Sequence, residues 1–310
     1  MFRAWANPPH VRLLGPTIWS VAAVTGIYVG CATYEVYQDA KKAAAWSSRR
    51  APKETISTFD ELERFKERLT TDVILTRIYR PPSELPEFSS PEALTMGVMG
   101  LSLGVHLASK ASAKFAYHFA HAPALPSNYT LLTSIFGHSG FIHLGINMYA
   151  MTQLMVPAAI SPTLGHSNAH LGAFYLSAGI LSSLANHATA VWPARHSAYM
   201  PALGASGALF ALLGIIGVTY PTIQLGILLV PGSLPIGEAL ACIALFDAIG
   251  IFVRYPFIHL GHAAHLSGLA LGVAGIAGYG YRVCYVAPSI VTNWYEAHRF
   301  IELERNFPVD

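Results

Sequence analysis

The sequence predicts an all-α polytopic membrane protein in which one apolar helix stands apart from a bundle of six. Two observations carry that prediction. Of the 310 residues, 53% are hydrophobic and only 12% are charged, with a mean hydropathy of +0.42, where a soluble domain carries about a quarter charged residues. The apolar residues are also gathered into runs of about the ~20 residues that a bilayer-crossing helix needs, one near the N-terminus and six in close succession after residue 92. The same composition sets nucleic acid aside. A net charge of +2 includes no basic block able to neutralise phosphates. Cys31, Cys242 and Cys284 are odd in number and all lie in apolar segments, so they read as small packing residues and not as a disulfide or thiolate-metal framework.

Taken in order, residues 1–37 form an N-terminal flank and a first membrane helix. Its apolar part is Thr17 to Tyr34, with Gly26 and Gly30 as a small-residue packing face. The flank has Arg3 and Arg12 and no acid before Glu35, which is compatible with mitochondrial import. Residues 38–92 carry most of the charge and must lie in water. Within them Thr58 and Glu61 match a capping box, and Phe59, Leu62, Phe65 and Leu69 recur at helical spacing, so a short amphipathic helix is expected. Pro81, Pro82, Pro86 and Pro91 then form a stiff spacer. The core, 93–285, contains six expected helices at 93–109, 138–156, 169–190, 203–220, 235–253 and 261–285. Glycines at packing spacing recur in it, as at Gly100/Gly104 and Gly268/Gly272. The tail, 286–310, mixes aromatic and charged residues and is expected to lie along the membrane interface.

Three core segments place polar groups at one level. The second, fourth and sixth core helices must run in the same direction, so their starts share one membrane face. His143, Ser206 and His265 each fall a few residues into one of these helices, roughly 5–8 Å deep at 1.5 Å per residue. Asn147 lies one turn beyond His143, on the same face. Gly204 and Gly207 around Ser206, and Gly268 and Gly272 after His265, leave gaps where the fourth and sixth helices can approach closely. That contact would bring the Ser206 hydroxyl to His265. A serine attacking a peptide carbonyl needs a base that takes its proton and returns it to the leaving amine, and His265 can do both. The oxyanion would be met by the Ser206 N–H, the Asn147 amide and the His143 ring. Asp247 lies far along the fifth helix, so no acid is expected to orient His265, and the expected unit is a Ser–His dyad.

Gly204-Ala205-Ser206-Gly207, His265-Leu266-Ser267-Gly268 and His138-x4-His143-x3-Asn147 together resemble the motifs of the rhomboid intramembrane serine proteases, over roughly 93–285. The resemblance implies a six-helix core with Ser206 and His265 catalytic. The extra helix before the core and the run His262-Ala263-Ala264-His265-Leu266 are similar to the mitochondrial, presenilin-associated rhomboid-like branch. That implies the inner membrane, single-pass transmembrane proteins as substrates entering sideways past the fifth helix, a lipid surround, and no cofactor. Two departures stand out. The stretch 110–135 lacks the Trp-Arg pair many rhomboids carry, and Phe210 stands where bacterial relatives often place Tyr beneath the histidine, so that a ring without a hydroxyl would stack there.

Other readings remain open. A lone serine among small residues is more often a packing residue than a nucleophile. A rhomboid-like protein without activity could bind and escort membrane helices, although such proteins typically lose one of the two catalytic residues. Asp247 has no second membrane aspartate or Gly-x-Gly-Asp to make an aspartyl protease, and no His-Glu-x-x-His is present for zinc. His138, His143, His262 and His265 have no carboxylate or thiolate among them for a metal. A transporter is disfavoured because the polar groups gather near one face. His138, His259 and His262 read as structural or interfacial.

Overall fold

The computed structural model describes residues 11–50, 90–125, 127–164, 167–192, 198–226, 231–253 and 260–275. These residues are predominantly helical. The order is α1 (Leu14–Arg50), α2 (Pro91–Ala111), α3 (Ala113–Tyr117), α4 (Thr130–Thr133), a 3-10 turn (Ser134–Phe136), α5 (Phe141–Ala159), α6 (Asn168–Thr189), α7 (Ser206–Thr219), β1 (Gln224–Leu225), β2 (Leu234–Pro235), α8 (Ile236–Phe252) and α9 (His262–Val273). Among them α2, α5, α6, α7, α8 and α9 overlap the six expected core segments, with starts that differ by one to three residues. β1 and β2 form a two-residue antiparallel ladder linking α7 to α8, which apolar periodicity does not reveal.

Local chemistry sets several of these boundaries. α2 begins where the Ser90 hydroxyl accepts the Ala93 N–H at 3.1 Å, with Pro91 at the first helical position. Ser167 does the same for α6 through the His170 N–H at 3.0 Å. α1 runs past the composition break at Gln38 to Arg50, because the Ala- and Lys-rich run Ala40–Trp46 has high helix propensity despite its charge. The linker therefore starts as helix. The amphipathic helix expected near 58–69, the end of the sixth core helix beyond residue 275 and the tail 286–310 lie outside the described residues.

By length and composition alone, one segment of the described residues, Leu14–Glu35, is long and apolar enough to cross a membrane. Ser206–Thr219 is wholly apolar in character but only 14 residues long. The other core helices fall short of that criterion because they are under 18 residues long, as α8 and α9 are, or because polar residues such as His106 and Lys110 in α2, Asn147 and Gln153 in α5 and His170 and Asn186 in α6 lower their mean hydropathy. α1 packs on α6 through Trp19, Ala23, Val24 and Ile27. A Cβ at Gly26, Gly30, Gly100 or Gly104 would meet nothing within 4 Å, so those small-residue pairs do not mediate close packing in this fold. Cys31 is half-buried and Cys242 exposed; both are free thiols.

The centre of the bundle is α7. It contributes Ala208, Leu212 and Ile215, all buried, and meets α5, α6, α8 and α9. Its contact with α9 is backbone on backbone. A Cβ at Gly268 would fall 2.1 Å from the Gly207 carbonyl oxygen, and one at Gly272 would fall 2.1 Å from that of Ala211. Ser182 of α6 closes the crossing, 2.5 Å from where a Cβ on Gly207 would stand.

The stretch 110–135 is ordered by means other than a Trp-Arg pair. His121 and Ala202 exchange backbone hydrogen bonds of 2.9 and 2.8 Å, and the Ala124 N–H donates to the Ala198 carbonyl at 2.9 Å. The buried His121 ring bonds Thr130 Oγ1 at 2.7 Å and His187 Nδ1 at 2.8 Å, and His187 Nε2–H donates to the Arg12 carbonyl at 3.0 Å. This chain of contacts fastens the start of α1 to the core.

Gly272→Ala should lower the thermal unfolding midpoint in detergent, by about 1–3 kcal/mol of overpacking cost, whereas Gly100→Ala should leave it within error. Burial and the neighbouring His187 lower the His121 pKa from 6.5 to about 4. The folded chain thus holds His121 neutral while the unfolded chain protonates it below about 6.5. Its stabilisation is complete above that pH and is lost as pH falls toward 4. The unfolding midpoint should decline across that window, and less steeply in His121→Gln; parallel profiles would contradict this.

Candidate active site

The site is built from the starts of three helices and the far end of a fourth. α7 begins at Ser206 itself, not at residue 203 as apolar patterning predicts, because Gly204 adopts φ +132°, a conformation glycine enters without the steric cost of a side chain. The Gly204 N–H donates to the Ser134 carbonyl at 2.9 Å, anchoring the turn to the 3-10 segment. Gly204 does not pack against the sixth core helix, contrary to expectation. A Cβ there would stand 2.9 Å from Cε1 and Nε2 of His143, so its lack of a side chain makes room for that ring. Gly207, Gly268 and Gly272 line the α7–α9 crossing. The Ser206 N–H is among the first-turn donors that a helix leaves without an intrahelical acceptor, at the positive end of its dipole.

Ser206 Oγ lies 2.8 Å from His265 Nε2. His265 is the fourth residue of α9 and is buried. Its ring stacks on Phe210 with centroids 4.3 Å apart and planes 6° from parallel. Phe210 follows Ser206 by one helical turn, so one face of α7 supplies both the hydroxyl and the platform. With the hydroxyl donating to Nε2, a neutral His265 carries its proton on Nδ1.

That Nδ1 does have an acid beside it. Asp247 Oδ1 is 3.4 Å away, and the same oxygen accepts the His262 Nδ1–H at 2.6 Å. The expectation that no acid reaches His265 is therefore corrected. Asp247 is the twelfth of seventeen residues in α8, but α8 runs opposite to α9, and its far end returns to the level where α9 begins. His262, expected to be interfacial or structural, is buried and holds this carboxylate. The signal that could have found the pair is the alternation of helix direction, already used for the second, fourth and sixth segments.

His143 approaches from α5. Its Nδ1 accepts the Ser139 N–H at 3.5 Å and lies 3.1 Å from Ser139 Oγ. The proton of the neutral ring is then on Nε2, the nitrogen nearest Gly204. Asn147 is buried and donates one amide N–H to the His143 carbonyl at 2.8 Å; its second N–H remains a donor. His138 stands outside the helices, with Nδ1–H donating to the Phe136 carbonyl at 3.2 Å and its ring edge-on to His143 at 5.1 Å. Burial and His143 push its pKa down to about 4. His138 thus supports the second-helix motif from the loop side. His259 lies outside the described residues. Among the described residues, no three His, Cys, Asp or Glu side chains converge as a metal set.

A nucleophile hydrogen-bonded to a base, with a helix N-terminus, an imidazole N–H and an amide N–H nearby, can perform acyl transfer. Comparison with known proteins identifies the family of the chain. The model of the rhomboid domain matches residues 126–282, half of the chain. The presenilin-associated rhomboid-like protein A, mitochondrial, of Danio rerio is 31% identical over 168 residues, which cover 54% of this chain and 41% of that protein. The presenilin-associated rhomboid-like protein, mitochondrial, of Homo sapiens is 31% identical over the same length, 54% of this chain and 42% of its own. Rhomboid protein 1, mitochondrial, of Saccharomyces cerevisiae is 32% identical over 152 residues, 47% of this chain and 40% of its own. The chain spans about two fifths of the length of these relatives.

Gly204→Ala should strain the turn and press on the His143 ring. We expect reactivity of Ser206 toward a fluorophosphonate to fall at least tenfold while the fold, read by circular dichroism, persists. Unchanged reactivity would contradict the role given to this turn.

Proposed function

The chain belongs to the rhomboid family, and we propose that it is a multi-pass intramembrane serine protease of the mitochondrial inner membrane that cleaves single-pass transmembrane proteins. The single observation that carries this reading is the 2.8 Å contact of Ser206 Oγ with His265 Nε2. A serine kept only for packing has no need of a base on its hydroxyl, with a ring stacked beneath that base.

The chemistry follows from the geometry. Ser206 Oγ attacks the scissile carbonyl carbon as its proton passes to His265 Nε2. The oxyanion that forms is met by the Ser206 N–H, the His143 Nε2–H and an Asn147 amide N–H. His265 then gives its proton to the leaving amine, and a water repeats the sequence to release the acyl group. A scissile peptide must leave its helix first, because helical carbonyls are already bonded. Lateral entry past α8 is part of the same proposal, as is the arrangement of α1 followed by six core helices embedded in lipid.

The competing reading is a rhomboid-like protein that binds and escorts helices without cutting them. Co-expression with candidate single-pass inner-membrane proteins separates the two. Wild type should yield cleavage products and Ser206→Ala or His265→Ala none. Asn147→Ala or His143→Ala should lower kcat about 10²–10³-fold, the loss typical of one oxyanion donor. Equal product from wild type and Ser206→Ala would remove the protease reading.

A further inference from the structure

We propose that Asp247 positions the base. Its carboxylate, held in place by His262, keeps the proton of neutral His265 on Nδ1 and receives the imidazolium that forms as Ser206 attacks. Three residues from three helices then act as a unit: Ser206 on α7, Asp247 on α8 and His265 on α9. The proposal rests on the protease reading above.

Several observations converge on it. One oxygen, Asp247 Oδ1, faces the Nδ1 atoms of both imidazoles, at 2.6 Å from His262 and 3.4 Å from His265. A carboxylate that only stapled α8 to α9 would be served by His262 alone. The second ring has no structural reason to turn Nδ1 toward the acid and its opposite nitrogen toward the Ser206 hydroxyl. The cradle for His262 is built into α8 as well. Gly250, three residues after Asp247, is where a Cβ would stand 2.5 Å from Cγ of the His262 ring, and Phe246 meets that ring edge-on at 5.4 Å. Catalytic hydrogen bonds are commonly long before substrate binds and tighten afterwards.

Proton bookkeeping is simple. The Oγ–H bond of Ser206 breaks as the Oγ–C bond to the substrate forms, and that proton goes to His265 Nε2. The Nδ1 proton stays on His265, Asp247 stays ionised throughout, and the Nε2 proton leaves with the amine. The groups facing His265 are Ser206 and Phe210 from α7, Asp247 from α8, His262 on its own helix and His143 from α5. Asp247 is the one anion among these groups. Because it rides on α8, displacing that helix would weaken the base without touching the Ser206–His265 bond.

The test uses the full chain in nanodiscs. In ¹⁵N-histidine NMR, His265 of the wild type should carry its proton on Nδ1, and Asp247→Asn should convert part of it to the Nε2–H form. On a substrate cleaved by the wild type, Asp247→Asn should lower kcat about 10²–10⁴-fold with KM unchanged, and the acidic limb of the kcat profile should move to lower pH. Asp247→Glu should recover at least tenfold of that loss. A folded Asp247→Asn with kcat within threefold of wild type overturns the proposal. So does a wild-type spectrum with the His265 proton on Nε2, which requires no variant. If the Nδ1–H signal depends on Asp247 but wild type and Ser206→Ala cleave alike, the protease reading fails and the positioning stands.

Discussion

The site depends on how closely α7 and α9 approach. Their backbones touch because Gly268 and Gly272 present no Cβ to the carbonyls of Gly207 and Ala211. Since Ser206 opens α7 and His265 lies one turn into α9, that approach sets the 2.8 Å separation of hydroxyl and imidazole. Helix association within a membrane gains little from the hydrophobic effect and relies on tight packing and interhelical hydrogen bonds. The crossing therefore supports the fold and aligns the chemistry with the same contacts.

A second constraint is the cost of polar groups in an apolar bundle. A buried carboxylate with no partner loses several kcal/mol of hydration that nothing restores. Asp247 meets two imidazoles, and the hydrogen bond to His262 offsets much of that cost. The same logic applies to His121, whose ring is satisfied at both nitrogens by Thr130 and His187. The links among His121, His187 and the Arg12 carbonyl, and among Ser206, His265, Asp247 and His262, join separate elements, so the bonds that satisfy these groups also tie α1 to α6 and α8 to α9.

Much of this could be read from residues alone. The six core segments follow from apolar runs, and Ser206, His265, His143 and Asn147 from their shared depth at the starts of alternate helices. The glycine spacing of Gly268 and Gly272 gave the helix crossing. What escaped was of two kinds. Gly204 looks like a packing glycine, but its role is a positive φ and a space for His143, and φ leaves no periodic trace. Asp247 lies far along its helix in the sequence, but α8 runs antiparallel to α9 and brings its far end back to the level of His265. The contacts of His121 with His187 and of His187 with Arg12 join residues 66 and 175 positions apart, and no local pattern announces them. The rhomboid-domain match covers 126–282 and so reaches neither α1 nor α2.

The central claim is that Ser206 is a nucleophile because His265 takes its proton. Mass-spectrometric mapping of a fluorophosphonate adduct on the intact membrane-embedded chain tests it most directly. A single adduct is expected, on Ser206, and it should disappear in His265→Ala. No adduct on the wild type, an adduct on another serine such as Ser182 or Ser267, or equal labelling of Ser206 without His265 would contradict it.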